Sequence, residues 1–506
     1  MIDLLEKTTV AGFTSREAKN KLERSTAQGL WTGERLIESL RDGRKVYHEG
    51  ELVDVTKHPN FTAPLSHLAS LQDWQHKDGV REAVSFETES GVRASMSYAL
   101  PHTHEELEQK VAASHEWMAA THGLMPRLPD FMSNVMVGLW DFRERLARVN
   151  PDFAESVEAY YAYCRDNDII LTHAIGDPQM DRSVRITENP DMALRVVERS
   201  SDGIVVRGAK QLATLAPYCH DALVYLSPTY ARRELPDYVC WFSVPMNAEG
   251  LSMLARPSMA GRRAGSPHEL ADRFEEHDAM IFFDDVFIPK ERVFLLDDAQ
   301  TALDGFWHLN RWSLYVGQIR FYHRLRFMLG VARLAARAIG VSEFREIKSD
   351  LGELAQYCEL SRLGLKATLA ESDPTGYGLI APGSTLALDT YAAQISGRLT
   401  EILTKISGSG SVMQACAVDF ADEGLAALIE RYMHGHKTSA KQKAAIFHLV
   451  RNLVADSFGG RQHIYELWNR GDPVRNRMTL ADALPDLDQL EQNILEEFSF
   501  AEPKAQ

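Results

Sequence analysis

Proline placement constrains this chain more than any other feature. Nine of its twenty prolines fall between Pro178 and Pro289, none lies in residues 290–373, and none lies in residues 383–472. A proline inside a helix costs about 3 kcal/mol, because it removes an N–H donor and its ring strikes the preceding turn. The two proline-free stretches are therefore permitted to be long helices, and the proline-dense middle is not. From about Ile169 the middle carries strand chemistry. Runs at 203–208, 222–226, 238–244 and 280–283 are short, β-branched or aromatic, and bounded by Gly, Pro, Asp or Asn. That spacing predicts a compact antiparallel barrel or sandwich. After Arg292 the helical period returns at Leu325, Leu329, Val331 and Leu334 and continues through 357–371, 386–406 and 441–457, which predicts a bundle.

The first part of the chain also reads as helical. Thr32 is placed to cap a short helix through Leu36, Ile37 and Leu40, stopped by Gly43. Thr103-His104-Glu105-Glu106 is a capping box, in which hydroxyl and carboxylate each satisfy an orphan backbone N–H. It opens a helix toward Gly123, and Pro126 and Pro129 then force an irregular turn. The expected division is a helical domain over 1–168, a β domain over 169–297 and a helical bundle over 298–506.

Length and charge bound the function. A chain of 506 residues holds two to four domains or one multi-lobed enzyme. Lys and Arg number 55 against 71 Asp and Glu, so the net charge is −16. A surface this acidic does not suit general nucleic-acid or anionic-membrane binding, which needs concentrated Lys and Arg. No apolar run reaches bilayer length, and residues 1–10 hold no apolar signal core, so a cytoplasmic protein is expected. Five cysteines, widely spaced and without a C-x-x-C pair, read as buried reduced thiols rather than a disulfide frame or a zinc site, and no metal is expected.

Familiar signatures are missing: there is no G-x-G-x-x-G after a strand, no Walker A and no H-E-x-x-H. The glycine-rich Ser407-Gly408-Ser409-Gly410-Ser411 sits in helical texture and reads as close helix packing. His434 and His436 lack partners at ligand spacing and read as surface residues. Three segments are less ordinary. Residues 171–183 hold His173, a turn and the pair Asp181-Arg182 at the seam between helical and β blocks, where ligand clefts form; a capped linker is the other reading. Residues 208–217 offer small side chains and Thr214 at a strand end, which lets a flat ring approach the backbone or simply makes a bend. In residues 456–463, Gly459-Gly460 reads as a helix C-cap, while Phe458, two glycines and Arg461 together also offer backbone donors and one positive charge to an anionic cofactor.

Taken together, these segments resemble the oxygenase component of the 4-hydroxyphenylacetate 3-hydroxylase family, two-component monooxygenases that use reduced flavin. The resemblance runs from Thr32-Gly33 to about Glu466. It is carried by Asp42-Gly43-Arg44-Lys45-Val46-Tyr47, residues 173–182, residues 203–214, Gly265-Ser266-Pro267, residues 273–279 and Phe458-Gly459-Gly460-Arg461. It implies a mainly α fold with a central β-barrel, acyl-CoA dehydrogenase-like, with the flavin between barrel and bundle and a homodimer or homotetramer built through the bundle.

The resemblance also implies a chemistry. A separate NAD(P)H:flavin reductase supplies FADH2, the oxygenase adds molecular oxygen, and a flavin hydroperoxide held away from water attacks the carbon ortho to a phenol. A base or cation near the phenol oxygen is then required. His173 matches the family's histidine for substrate and flavin. Arg127, in Arg127-Leu128-Pro129-Asp130-Phe131, matches a substrate-binding arginine; the tyrosine of that pattern is Phe131 here, which removes a hydroxyl and favours a substrate other than 4-hydroxyphenylacetate. Flavin contacts carry over to His173, Ala174, Ile175, Gln179, Met180, Asp181, Arg182, Thr214, Ser457, Phe458, Gly459 and Gly460. Ser227 matches a substrate contact, and His323 sits where halophenol-oxidising relatives carry a phenol-activating histidine. A helix-surface histidine is the alternative at 323.

A sister group, 4-hydroxybutyryl-CoA dehydratase, holds an iron–sulfur cluster through cysteines, and this chain has none before Cys164. Two other readings stand beside the hydroxylase: an acyl-CoA dehydrogenase-like enzyme with tightly bound FAD, and a non-catalytic flavin-binding relative. The substrate stays open between a small aromatic phenol and a carrier-tethered one. The basic pairs Arg232-Arg233 and Arg262-Arg263 fit several choices.

Overall fold

A computed structural model describes residues 22, 27–225, 232–260, 269–484 and 486–498. The N-terminal helices start where their caps dictate. Thr32 Oγ1 accepts from Arg35 N at the head of Gly33–Ser39, and the Thr103–Glu106 box closes in both directions at the head of His104–Ala120. Pro129 and Pro151 each occupy the first turn of a helix, Pro129–Asp141 and Pro151–Asp166, where the missing N–H would have had no partner.

Helix gives way to strand at Leu171–Ala174. A six-stranded sheet runs in the order Glu51–Val53, Val46–His48, Leu251–Ala255, Asp278–Pro289, Gly203–Thr214, Arg195–Arg199. A four-stranded sheet runs Val293–Leu296, Cys240–Pro245, Asp221–Val224, Leu171–Ala174. Among the described residues these ladders do not close into a barrel. The β domain is a pair of sheets, with Leu171–Ala174 and Val293–Leu296 left as edges. A side-chain bond joins them instead: Thr172 Oγ1 donates to Thr214 O at 2.8 Å. Two strands of the larger sheet, Val46–His48 and Glu51–Val53, come from the N-terminal region, so the sheet itself crosses the 168/169 seam.

Strand gives way to helix after Leu296. Arg311–Ala338, Arg345–Ala370, Leu386–Ser407, Ala440–Val454 and Ser457–Trp468 form the bundle, and one contiguous apolar core links it to the other two regions. Gly410 is where a helix end meets a neighbour, since a Cβ there would lie 2.7 Å from the Phe447 ring. His434 and His436 are exposed. The Gly459-Gly460 reading as a C-cap is corrected: the helix before it ends at Val454, and both glycines lie in the first turn of Ser457–Trp468, whose N-cap is Asp456. All five cysteines are free, and no helix among the described residues is long and apolar enough to cross a membrane.

Candidate active site

Arg127 stands in the irregular stretch between two N-terminal helices, 6% exposed. Its backbone N–H donates to Glu276 Oε1 at 2.6 Å, which fixes the loop against the β domain. Its guanidinium carbon lies over the Phe131 ring, 3.9 Å from the centroid. Nη1 donates to the Tyr465 hydroxyl, from the bundle. Three regions of the chain thus meet at one residue. Nε is buried with no hydrogen-bond partner, and no carboxylate among the described residues pairs with this guanidinium. Most buried arginines in this chain are paired: Arg320 grips both oxygens of Glu466, and Arg292 meets Asp221. A buried guanidinium with open donors is suited to an anionic ligand atom.

His173 approaches from the other wall. It lies on the edge strand Leu171–Ala174, half-buried, with its ring edge-on to Phe131 at 6.2 Å. Burial, then the Arg127 charge, holds its pKa well below the usual imidazole value, so the ring is neutral at pH 7. Its Nδ1 has no hydrogen-bond partner. The loop after this strand is pinned by Lys210, whose buried ammonium donates to Ile175 O at 3.1 Å and to Asp177 Oδ1 at 2.7 Å, and by the bridge between Gly176 and Gln211. The same loop then turns outward and leaves Gln179, Met180, Asp181 and Arg182 exposed.

A buried charged joint backs the site. Asp278 accepts from Arg461 at 2.6 and 3.0 Å, from Arg256 at 2.9 Å and from Thr214 Oγ1 at 2.6 Å. Despite the cost of burial, these cations hold the Asp278 carboxyl well below the usual carboxylate range. Glu276, with only the Arg127 N–H and a 3.5 Å approach of Arg461, is pushed up by burial to about 7. Tyr465 and Glu276 are the residues that sequence reasoning missed. The available signal was the i, i+4 spacing of Arg461 and Tyr465, which puts both on one helix face.

The predicted residues divide accordingly. Arg127, Phe131 and His173 come together, with Ala174 buried and Ile175 half-buried on the same strand and loop. His323 is engaged elsewhere: it bonds His115 at 3.0 Å. The donors expected around Phe458 are spent within the protein. Asp456 accepts from the N–H groups of Phe458 and Gly459, and Arg461 is neutralised by Asp278. Thr214 spends its hydroxyl proton on Asp278. Ser457 and Gly460 remain exposed, and nothing lies within 4 Å of where a Gly460 Cβ would be. Ser227, Arg262, Arg263 and Gly265-Ser266-Pro267 lie outside the described residues. A polar cavity of about 330 Å³ beside Trp31 and His220 is not a rival site, because both ring nitrogens of His220 are already taken by Ile170 N and Ser39 Oγ.

A flavin fits these residues. The open Nε donor of Arg127, the unpartnered Nδ1 of His173, the unfilled space beside Gly460 and the exposed edge at 179–182 are left free for a ligand, while the nearby fixed charges are already balanced. The chain is a flavoenzyme of acyl-CoA dehydrogenase-like fold, one that takes FAD. The chain belongs to the 4-hydroxyphenylacetate 3-hydroxylase family: residues 32–295 match its N-terminal part and residues 302–492 its C-terminal part. It is similar to the 4-hydroxyphenylacetate 3-monooxygenase oxygenase component of Thermus thermophilus, at 32% identity over 89% of this chain and 93% of that one. The corresponding protein of a Geobacillus species is 31% identical over 89% and 93%. A crystal structure of such an oxygenase component complexed with FAD and 4-hydroxyphenylacetate superposes with a TM-score of 0.87 at 30% identity, covering 93% of this chain and 99% of that one. The protein is accordingly a flavin-dependent monooxygenase that hydroxylates an aromatic compound, and the relatives' names as oxygenase components imply a separate partner.

Proposed function

We propose that this chain hydroxylates a phenol at the carbon ortho to its hydroxyl, using FADH2 delivered by a separate NAD(P)H:flavin reductase. The overall balance is phenol, O2 and FADH2 giving catechol, water and FAD. Bound reduced flavin would supply the two electrons and activate the oxygen. The residues Gln179, Met180, Asp181, Arg182, Ser457 and Gly460 would border it, with Phe458 and Gly459 shaping the wall and Thr214 contributing backbone.

The protein's own part is to ready the phenol. Arg127 supports the developing phenolate with open N–H donors at a dry position. His173, kept neutral, takes the phenol proton at Nδ1, and the resulting imidazolium and phenolate then stabilise each other. The buried Phe131 ring against Arg127 supports a dry position for the phenol. The observation that carries this reading is the buried Arg127, whose guanidinium pairs with no carboxylate among the described residues, together with the unpartnered His173 Nδ1.

Phe131 supports a phenol other than 4-hydroxyphenylacetate, either free or tethered to a carrier. Exposed Leu490, Ile494, Leu495 and Phe498 on Leu487–Phe498 support a homodimer or homotetramer. Five free thiols and the need for reduced flavin support the cytoplasm as the compartment. The test supplies photoreduced FAD and 18O2 with a panel of phenols and reads products by mass spectrometry. One labelled oxygen ortho to the hydroxyl is expected. Consumption of FADH2 to hydrogen peroxide alone, with every phenol, overturns the proposal.

A further inference from the structure

The geometry points to Tyr465 as the positioning residue for Arg127, the side chain that decides which edge of the guanidinium is turned to the substrate. The inference rests on the reading that Arg127 meets the phenol.

The Phe131 ring supports the guanidinium from one side, 3.9 Å from its central carbon, but an aromatic face offers no directional acceptor to set which N–H edge points where. In-plane anchors are few. Nη1 bonds the Tyr465 hydroxyl and makes a longer, 3.4 Å approach to Pro126 O. Glu276 takes the backbone N–H, not the guanidinium. With Nη1 held, the Nε edge is left over, and Nε has no protein acceptor. The Tyr465 oxygen accepts from Arg127 and so keeps its own proton to donate. Burial raises the phenol's pKa, which keeps that proton in place.

Tyr465 is held unusually well for such a task. Three of its helix neighbours are tied to three parts of the molecule: Arg461 to Asp278 in the β domain, Gln462 to Leu124 O in the N-terminal domain, and Glu466 to Arg320, Arg324 and Arg470 in the bundle. Its ring also lies within 5.2–5.3 Å of the guanidiniums of Arg127, Arg320 and Arg461. A hydroxyl fixed from three sides transmits that fixity to the guanidinium it holds.

The test is a double-mutant cycle on the full-length, FAD-loaded protein, with 4-nitrophenol as the probe and calorimetry as the readout. Y465F and R127M are each expected to weaken 4-nitrophenol binding by about tenfold or more, as for loss of an oriented charge-assisted hydrogen bond, and the double variant should bind within about twofold of R127M. FAD affinity should be the same in wild type and Y465F, which separates the role from general support of the cleft. Binding by Y465F within twofold of wild type overturns the inference. So does a double variant whose loss is the product of the two single losses, because Tyr465 would then act independently of Arg127. A wild-type protein that binds none of a panel of phenols instead sinks the functional reading beneath it.

Discussion

Arg127 and His173 illustrate how burial sets chemistry at the level of single residues. Each is an ionisable side chain with open hydrogen-bonding capacity in a dry place, a state that costs stability and persists where function requires it. Replacing His173 with Ala should lower kcat by about 10² to 10⁴ through loss of proton transfer, as measured in steady-state assays fed with saturating FADH2. Glu276 gives a pH prediction. Its carboxyl is raised by burial to about 7 in the folded chain, against an ordinary 4.5. The folded state therefore holds a proton that the unfolded chain releases between those values. This contribution to stability is complete below pH 4.5 and is lost as pH rises through 7. Glu276→Gln cannot ionise and keeps the acceptor for Arg127 N–H. Relative to wild type it should gain stability on the order of 3 kcal/mol between pH 4.5 and 8, read by urea unfolding at several pH values. Arg127 and His173 were legible in sequence because each sits in a local pattern. Tyr465 and Glu276 were not, because their roles come from partners 338 and 149 residues away.

Elements were legible where local chemistry is unambiguous. The capping box at Thr103 was read directly, and Thr103→Ala should lower stability by about 1 kcal/mol, seen as a small drop in Tm without loss of activity. Gly459-Gly460 was misread because glycine serves both ends of a helix. The deciding residue is Asp456, whose carboxylate binds the first N–H groups and so starts a helix at Ser457. Gly459 is needed there for contact, not for a turn. A Cβ at this position would lie 2.5 Å from Leu453 O, so Gly459→Ala must displace the helix that carries Arg461 and Tyr465. Both Tm and FAD affinity should fall together; an alanine variant with unchanged FAD affinity would contradict this account.

At the scale of the whole molecule, Asp278 joins β domain to bundle by neutralising Arg256 and Arg461 at once. Asp278→Asn leaves those cations without their shared counter-charge in a buried place. It should destabilise the fold by about 3–5 kcal/mol, measured by denaturant unfolding, with weaker FAD binding because the joint backs the cleft. The expected barrel proved to be two sheets because strand pairing is a long-range choice. Among the described residues Leu171–Ala174 pairs only with Asp221–Val224, in parallel, and Val46–His48 crosses from the N-terminal region to pair with Leu251–Ala255.

The order helix, strand, helix was fixed in the sequence alone, because proline and periodicity act on neighbouring residues and need no tertiary partner. The aromatic-hydroxylase resemblance was likewise carried by short segments in a set order. Only the tertiary structure decided that His323 turns to His115, that the charge of Arg461 is spent on Asp278, and that Tyr465 holds Arg127. The physical reason is that a side chain's hydrogen bonds and desolvation depend on what the fold brings beside it, and those neighbours lie far along the chain.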